Sequence, residues 1–336
     1  MNVGAGSVNP EHRGPEVVLL FGMPRSGTTW LAKIFDSHPN TLYRHEPDSY
    51  GRLDHLPWAP EPGVWAQHHG ELRDFVQGLA GIRDAKISAT LPQFHKNYLN
   101  LLQRSWNRGA VTAVKVAGRL SLRVSVPLWL PVSSVERSVL VSKSIESLAR
   151  MGLFATALPD SRNVVIVRHP CGYLGSVLRG RSLQQFDDNE SIGEDHGILK
   201  LLAGTQVASR HGVSLDYLCS LPPLERIVWQ WVLTNDKALQ DSDGLSNVCA
   251  VSYEQFCADP LNEAKKLYDW VGLDLAQQTI DFLSASTTTH RDRYYSVYKD
   301  PMRTANAWRQ QLPEDVQRRV IAIAGHSLTW QRYYAD

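Results

Sequence analysis

Short unbroken apolar runs alternate along this chain with longer stretches whose apolar residues return every three or four positions. The runs "VVLLFG" at 17–22, "AVTAVKVAG" at 110–118, "SVLVSK" at 138–143, "NVVIVRHP" at 163–170 and "NVCAVSY" at 247–253 have the length and the missing polar face of strands buried on both sides of a parallel sheet. Between them, residues 26–36 carry Trp30, Leu31, Ile34 and Phe35 at helical spacing. Residues 172–181 read as a second helix, and residues 224–239 as a third, with Ile227, Val228, Trp231 and Ala238 on overlapping faces. Strands separated by helices predict an α/β fold, a central parallel sheet flanked by helices, with ligands at the carboxyl ends of the strands.

Residues 1–16 have no apolar period and are expected to be a flexible tail; residues 17–336 are expected to form a single domain. Two stretches break the alternation. Residues 47–70, with Trp58 and Trp65 among many Pro and His, predict a long loop or lid, and residues 183–222, polar and punctuated, predict an insertion near an acceptor. A further loop is expected across 286–306.

Composition narrows the function classes. With 35 Lys+Arg against 34 Asp+Glu the net charge is +1, so the overall balance favours neither nucleic acid nor another polyanion, and an anion site must be local. Cys171, Cys219, Cys249 and Cys257 form no CxxC pair or zinc spacing, as expected of free thiols in a reducing compartment. No run of about 18 apolar residues occurs, and the first residues lack a signal-peptide core, so a cytoplasmic protein without a transmembrane segment is expected.

The first apolar run leads into "GMPRSGTTW". Gly22, Gly27 and Thr29 satisfy the phosphate-loop pattern GxxxxGK[ST], but Thr28 stands at its lysine. That lysine spans the β- and γ-phosphates of a nucleoside triphosphate, and its absence argues against ATP or GTP. A strand-to-helix turn remains, with backbone N–H groups and the helix dipole directed at one point. Arg25 adds a cation, and Ser26, Thr28 and Thr29 add hydroxyls.

"PRSGTTWL" resembles the 5′-phosphosulfate loop of sulfotransferases that use 3′-phosphoadenosine 5′-phosphosulfate (PAPS), a donor with no γ-phosphate to hold. "VVIVRHPCGYLGSVLRG" resembles the segment with which that family grips the 3′-phosphate: an arginine at a strand end and a serine eight residues later, here Arg168 and Ser176. An arginine fork and a helix-borne hydroxyl suit a phosphate. "VSYEQFCADP" resembles the family's Tyr-Glu segment, which makes Tyr253 a candidate near the adenine, with Trp30 at the position that stacks on that base. "PMRTANAWRQQL" falls where the family brings a basic loop to the 3′-phosphate, which suggests Arg303. The resemblance implies a P-loop-like sulfotransferase fold, PAPS as co-substrate and PAP (adenosine 3′,5′-bisphosphate) as product.

Sulfuryl transfer requires a base for the acceptor's proton and cations for the leaving phosphate. In the branch acting on phenols a histidine two residues after a lysine is the base; "VSKSIESL" keeps the lysine as Lys143 but has Ile145 at the second position. In the carbohydrate-modifying branch the base is a glutamate in a context like "HP…EP", which here is "SHPNTLYRHEPD". Glu46 is therefore the expected base, with His45 as its rival and Lys143 and Arg25 as catalytic cations. An extended backbone at 44–47, favoured before Pro47, predicts that His45 and Glu46 point to opposite sides, and burial is expected to raise the Glu46 pKa. No histidine cluster has metal spacing, and no metal is expected. The expected acceptor is a hydroxyl on a carbohydrate, glycolipid or natural product. Two alternatives remain open: a nucleotide kinase or other P-loop NTPase, and a non-catalytic protein that binds PAP or PAPS.

Overall fold

The computed structural model describes residues 16–50, 53–88, 90–119, 126–130, 138–182, 196–289, 297–298 and 300–335. Five strands, β1 (Val17–Phe21), β2 (Thr41–His45), β3 (Val139–Ser144), β4 (Arg162–Val167) and β5 (Val248–Ser252), form one sheet in the order β2-β3-β1-β4-β5. Every pairing is parallel. Leu19, Phe21, Val165 and Val167 enter the core on one face, and Val18, Leu20, Val164 and Ile166 enter the core on the other. That double burial is why β1 and β4 read as unbroken apolar runs.

Helix α1 (Thr28–Asp36) follows β1. Helices α2 (Trp65–Leu79), α3 (Ala85–Ser88) and α4 (Leu101–Arg119) lie between β2 and β3. Helix α5 (Pro170–Ser182) follows β4, and α6 (Pro223–Asp241) precedes β5. After β5 come α7 (Tyr253–Ala258), α8 (Pro301–Asn306) and α9 (Leu328–Tyr333). Leu31, Ile34 and Phe35 of α1 join one core, whereas Tyr173, Leu174 and Val177 of α5 join the other. Helices that leave neighbouring strands toward opposite faces open a crevice at the carboxyl edge of the sheet, between β1 and β4.

Several expectations change. Residues 110–118 are helical, within α4, where Ala110, Val111 and Val114 pack with Ala85 and Leu128; a short run rich in Val and Ala fits either period. Strand β2 has no counterpart among the predicted strands because Arg44 interrupts its pattern. That side chain is 1% exposed, and it donates to the carbonyls of Leu79, Tyr43 and Ala80 at 2.6, 2.8 and 2.8 Å. The 47–70 loop gives way to α2 at Trp65. The 286–306 loop is helical at both ends, in Gln277–Thr288 and in α8.

The predicted tail lies outside the described residues except for Glu16, as does 183–195 of the second insertion. From 196 that insertion forms short helices whose Leu199, Leu202, Val207 and Leu218 close on Leu233 of α6.

The base of the sheet is fixed to α1 by a buried charge cluster. Asp36 takes Lys33 Nζ at 2.6 Å and Lys96 Nζ at 3.2 Å, and Lys33 also donates to the carbonyls of Thr90 and Pro92. Burial opposes ionisation of Asp36, but the two ammonium groups outweigh it and hold the carboxyl below its ordinary range. Asp36→Ala leaves two buried cations without their anion, and urea unfolding should show a loss of about 3–5 kcal/mol.

Candidate active site

The turn between β1 and α1 requires glycine twice. A Cβ on Gly22 would lie 2.6 Å from Thr28 Cγ2 and 2.8 Å from the Ile166 carbonyl oxygen. Gly27 has φ +89, and a Cβ there would lie 2.4 Å from the Tyr253 ring. Arg25 also adopts a left-handed backbone, φ 72, a costly state for a residue with a Cβ and one that gathers at functional sites. The N–H of Ser26 donates to Met23 at 3.1 Å. Helix α1 begins after Gly27 with no side-chain cap; the Trp30 N–H donates to the Gly27 carbonyl at 3.0 Å, and the N–H groups of Thr28 and Thr29 at the helix start are suited to an anion.

The two phosphate motifs meet. Arg25 Nε donates to Ser176 Oγ at 3.3 Å, and Arg168 Nη1 donates to the Arg25 carbonyl at 2.8 Å. Arg168 is 6% exposed and its guanidinium lies 4.7 Å from the Tyr253 ring centroid. Its Nη2 donates to the Thr304 carbonyl at 3.0 Å, while its Nε is buried without an acceptor. A buried guanidinium donor without an acceptor, on a residue that also holds the Arg25 backbone, has capacity left for an anion. Trp30 makes an edge contact with Tyr253, its Nε1 donating to Ser286 Oγ at 3.1 Å. Arg303 sits exposed on α8, and Thr304, its neighbour, is the residue placed against Arg168.

Behind this clamp are contacts that no motif in the sequence reveals. Glu254 accepts the His169 N–H at 3.1 Å and the Tyr334 hydroxyl at 3.1 Å, and Trp231 Nε1 donates to the Arg168 carbonyl at 3.0 Å. Burial raises the Glu254 pKa against the pull of Arg168. The only early sign of Glu254 was its place beside Tyr253.

Glu46, His45 and Lys143 converge at the ends of β2 and β3, where Lys143 stands in register with His45 on one side and Leu20 on the other. Lys143, 1% exposed, pairs with Glu46 Oε1 and donates to Thr29 Oγ1 at 3.2 Å. Glu46 is not extended: its φ is 47, its N–H donates to the Lys143 carbonyl at 2.8 Å, and its own carbonyl accepts from Ser49. The chain turns here from β2 into the helical turn Pro47–Tyr50, which overrides the bias that Pro47 imposes. As a result His45 and Glu46 lie together, Nε2 to Oε1 at 3.9 Å, instead of on opposite sides.

Burial works to raise the Glu46 pKa, but Lys143 and His45 outweigh it and leave the carboxyl below its ordinary value, contrary to the expected rise. Lys143 is lowered by burial, opposed by Glu46. His45, whose Nδ1 lies 2.8 Å from the Tyr43 hydroxyl, is pushed down to about 4 by burial and by Lys143. Next to this pair Asp48 takes the hydroxyls of Ser144 and Ser147, and Arg150 ties the segment to the carbonyls of Pro57 and Leu56. Among the described residues no group of three His, Cys, Asp or Glu is arranged to hold a metal ion.

The family model described as "Sulfotransferase family" matches residues 15–196, a span that contains Arg25, Glu46, Lys143, Arg168 and Ser176. Carbohydrate sulfotransferase 5 of Mus musculus is 24% identical over 331 residues, covering 93% of this chain and 79% of its own. Carbohydrate sulfotransferase 1 of Danio rerio is 27% identical over 350 residues, covering 95% and 78%. Among solved structures, the sulfotransferase domain from the curacin biosynthetic pathway overlays with a TM-score of 0.45 at 14% identity, covering 93% of this chain and 97% of that one.

Two measurements check the site's physical description. Gly27→Ala forces a side chain onto both a positive φ and the Tyr253 ring, and should destabilise the protein by about 1–3 kcal/mol in chemical denaturation. His45 stays neutral in the fold down to about pH 4, whereas in the unfolded chain it protonates near 6.5. Between those values the unfolded state binds more protons, so stability falls as pH drops through the window. One such histidine adds up to about 1.4 kcal/mol per pH unit to the slope, and His45→Asn should flatten it.

Proposed function

This chain belongs to the sulfotransferase family and transfers a sulfuryl group from PAPS, and on that premise we propose that Glu46 is the general base acting on a hydroxyl of a carbohydrate-bearing acceptor. The observation that carries the reading is the buried Lys143–Glu46 pair, joined to the phosphate loop through Thr29. It brings a proton acceptor and a cation to the end of the loop that suits the donor's phosphosulfate. The names of the two relatives, both carbohydrate sulfotransferases, support the acceptor class.

In this reading the acceptor oxygen forms a bond to sulfur as the bond from sulfur to the 5′-phosphate oxygen breaks. The acceptor's proton passes to Glu46, and the electron pair leaves with PAP. Negative charge that grows on the leaving phosphate meets Lys143, Arg25 and the first N–H groups of α1. The depressed Glu46 pKa has two consequences. The carboxylate is ready to accept at neutral pH, and its basicity in the free protein is held down by Lys143. When the lysine turns to the leaving phosphate, Glu46 loses that partner and becomes a stronger base as the proton arrives.

At the other end of the donor, Arg168 and Ser176 hold the 3′-phosphate, and the open Arg168 Nε is the strongest support for that role. Tyr253 and Trp30 form an aromatic wall suited to adenine. Arg303, exposed on α8 beside Thr304, is a peripheral contact.

Glu46→Gln keeps the side chain's shape and removes its basicity. Turnover with PAPS and a hydroxyl acceptor should fall about 10²–10⁴-fold, with PAP binding by calorimetry changed by less than about threefold. His45→Gln should cost much less. The reverse ranking would make His45 the base, and equal small effects from both would sink the assignment of a base on this strand end.

A further inference from the structure

The near-zero charge of the chain conceals a long segment of one sign. Between Asp84 and Glu136 there is no acidic residue, whereas Lys86, Lys96, Arg104, Arg108, Lys115, Arg119 and Arg123 all fall there, seven cations in a chain of net charge +1. Helix α4 is the long element of that segment. One of its faces is ordinary core: Ala110 and Val111 are buried with Ala85 of α3 and Leu128.

A second apolar face has no cover among the described residues. Leu102, Trp106 and Val116 are 80%, 52% and 49% exposed. Together with exposed Gly109 and Ala113 they follow the spacing i, i+4, i+7, i+11, i+14, a stripe along one side of the helix. Trp129, 54% exposed, is held near it: Asn107 bonds the Trp129 backbone at 2.7 and 3.1 Å, and Trp106 Nε1 donates to the Pro127 carbonyl at 3.1 Å. Arg104 and Arg108 lie four apart on a different line of the helix, and Lys115 and Arg119 continue that line's spacing in the sequence.

Exposed leucine and tryptophan in a continuous stripe call for a partner. The charge selects which one. A second copy of the chain would cover the apolar stripe but would bring its own Arg104 and Arg108 to the same place. An anionic bilayer answers both features, because apolar side chains enter the acyl boundary while basic residues meet the headgroup phosphates, and tryptophan favours that interface. We propose that α4 docks this protein on the surface of an anionic lipid membrane, with Leu102, Trp106 and Val116 inserted and Arg104 and Arg108 against the headgroups. The proposal goes beyond the transferase reading and does not depend on it.

Flotation of the intact protein with vesicles tests it, using phosphatidylcholine alone and phosphatidylcholine mixed with phosphatidylglycerol. The protein should float with the mixed vesicles, release at high salt, and bind pure phosphatidylcholine at least about tenfold less. Leu102→Asp, at the most exposed position of the stripe, should lower the bound fraction about tenfold with melting temperature and turnover unchanged. Arg108→Glu should act in the same direction. Absence of flotation, or equal binding to both vesicle types, overturns the proposal. Binding that survives Leu102→Asp and is competed by heparin would make the segment a general polyanion site. A dimer broken by Leu102→Asp, without vesicle binding, would assign the stripe to a second copy; either result contradicts the lipid assignment.

Discussion

An ammonium group with 1% exposure at the end of a central strand needs an anion, and the Lys143–Glu46 pair is the contact around which this end of the molecule is arranged. To reach the lysine, the chain leaves β2 with Glu46 in a left-handed conformation and turns at once into Pro47–Tyr50. Asp48 then fastens the turn to Ser144, the last residue of β3, and to Ser147 beyond it. Thr29 links the same lysine to the first turn of α1. One buried cation thus ties Glu46, the phosphate loop and the loop after β2 to a common point.

The second centre is built by the same logic with an arginine. Arg168 leaves β4 with its carbonyl held by Trp231 and its guanidinium spread between the Arg25 carbonyl, the Thr304 carbonyl and the Tyr253 ring. Its Nε is left open. Glu254 supports the strand end from behind through the His169 N–H and reaches the last helix through Tyr334. Loop, clamp and C-terminal helix therefore share contacts, although they are far apart in sequence. Two cationic centres at the ends of β3 and β4, on either side of β1 and its phosphate loop, one with an open donor and one paired with a carboxylate, give this edge of the sheet its chemical character.

Four of the five strands were legible in the sequence because β1, β3, β4 and β5 carry apolar runs with little polar interruption. β2 was not, since its Arg44 is a core residue only by virtue of three carbonyls supplied from its own strand and from α2 and its end, partners that no local pattern reveals. The run at 110–118 misled for the opposite reason: Val and Ala at that density fit helix and strand alike, and the helical answer comes from packing on α3. The phosphate loop, Arg168, Ser176, Lys143 and Glu46 were visible as motifs. The geometry of Glu46 was not, because a local bias before proline yields to the buried lysine, and neither was its pKa, because burial and ion pairing act in opposite senses and only their balance decides. Glu254, Asp48 and Thr304 act through contacts across the sequence and left no sign of their own.

The most direct test of the account is calorimetric titration of the purified protein with PAP, with adenosine 5′-phosphate and with ATP in the presence of Mg²⁺. A loop without its lysine, joined to an arginine clamp with an open donor, predicts PAP binding at least about a hundredfold tighter than adenosine 5′-phosphate, the 3′-phosphate being worth a charge-assisted contact. ATP should bind weakly and gain nothing from Mg²⁺. Tight, Mg²⁺-dependent binding of ATP together with indifference to the 3′-phosphate would contradict it and return the loop to nucleoside triphosphate chemistry.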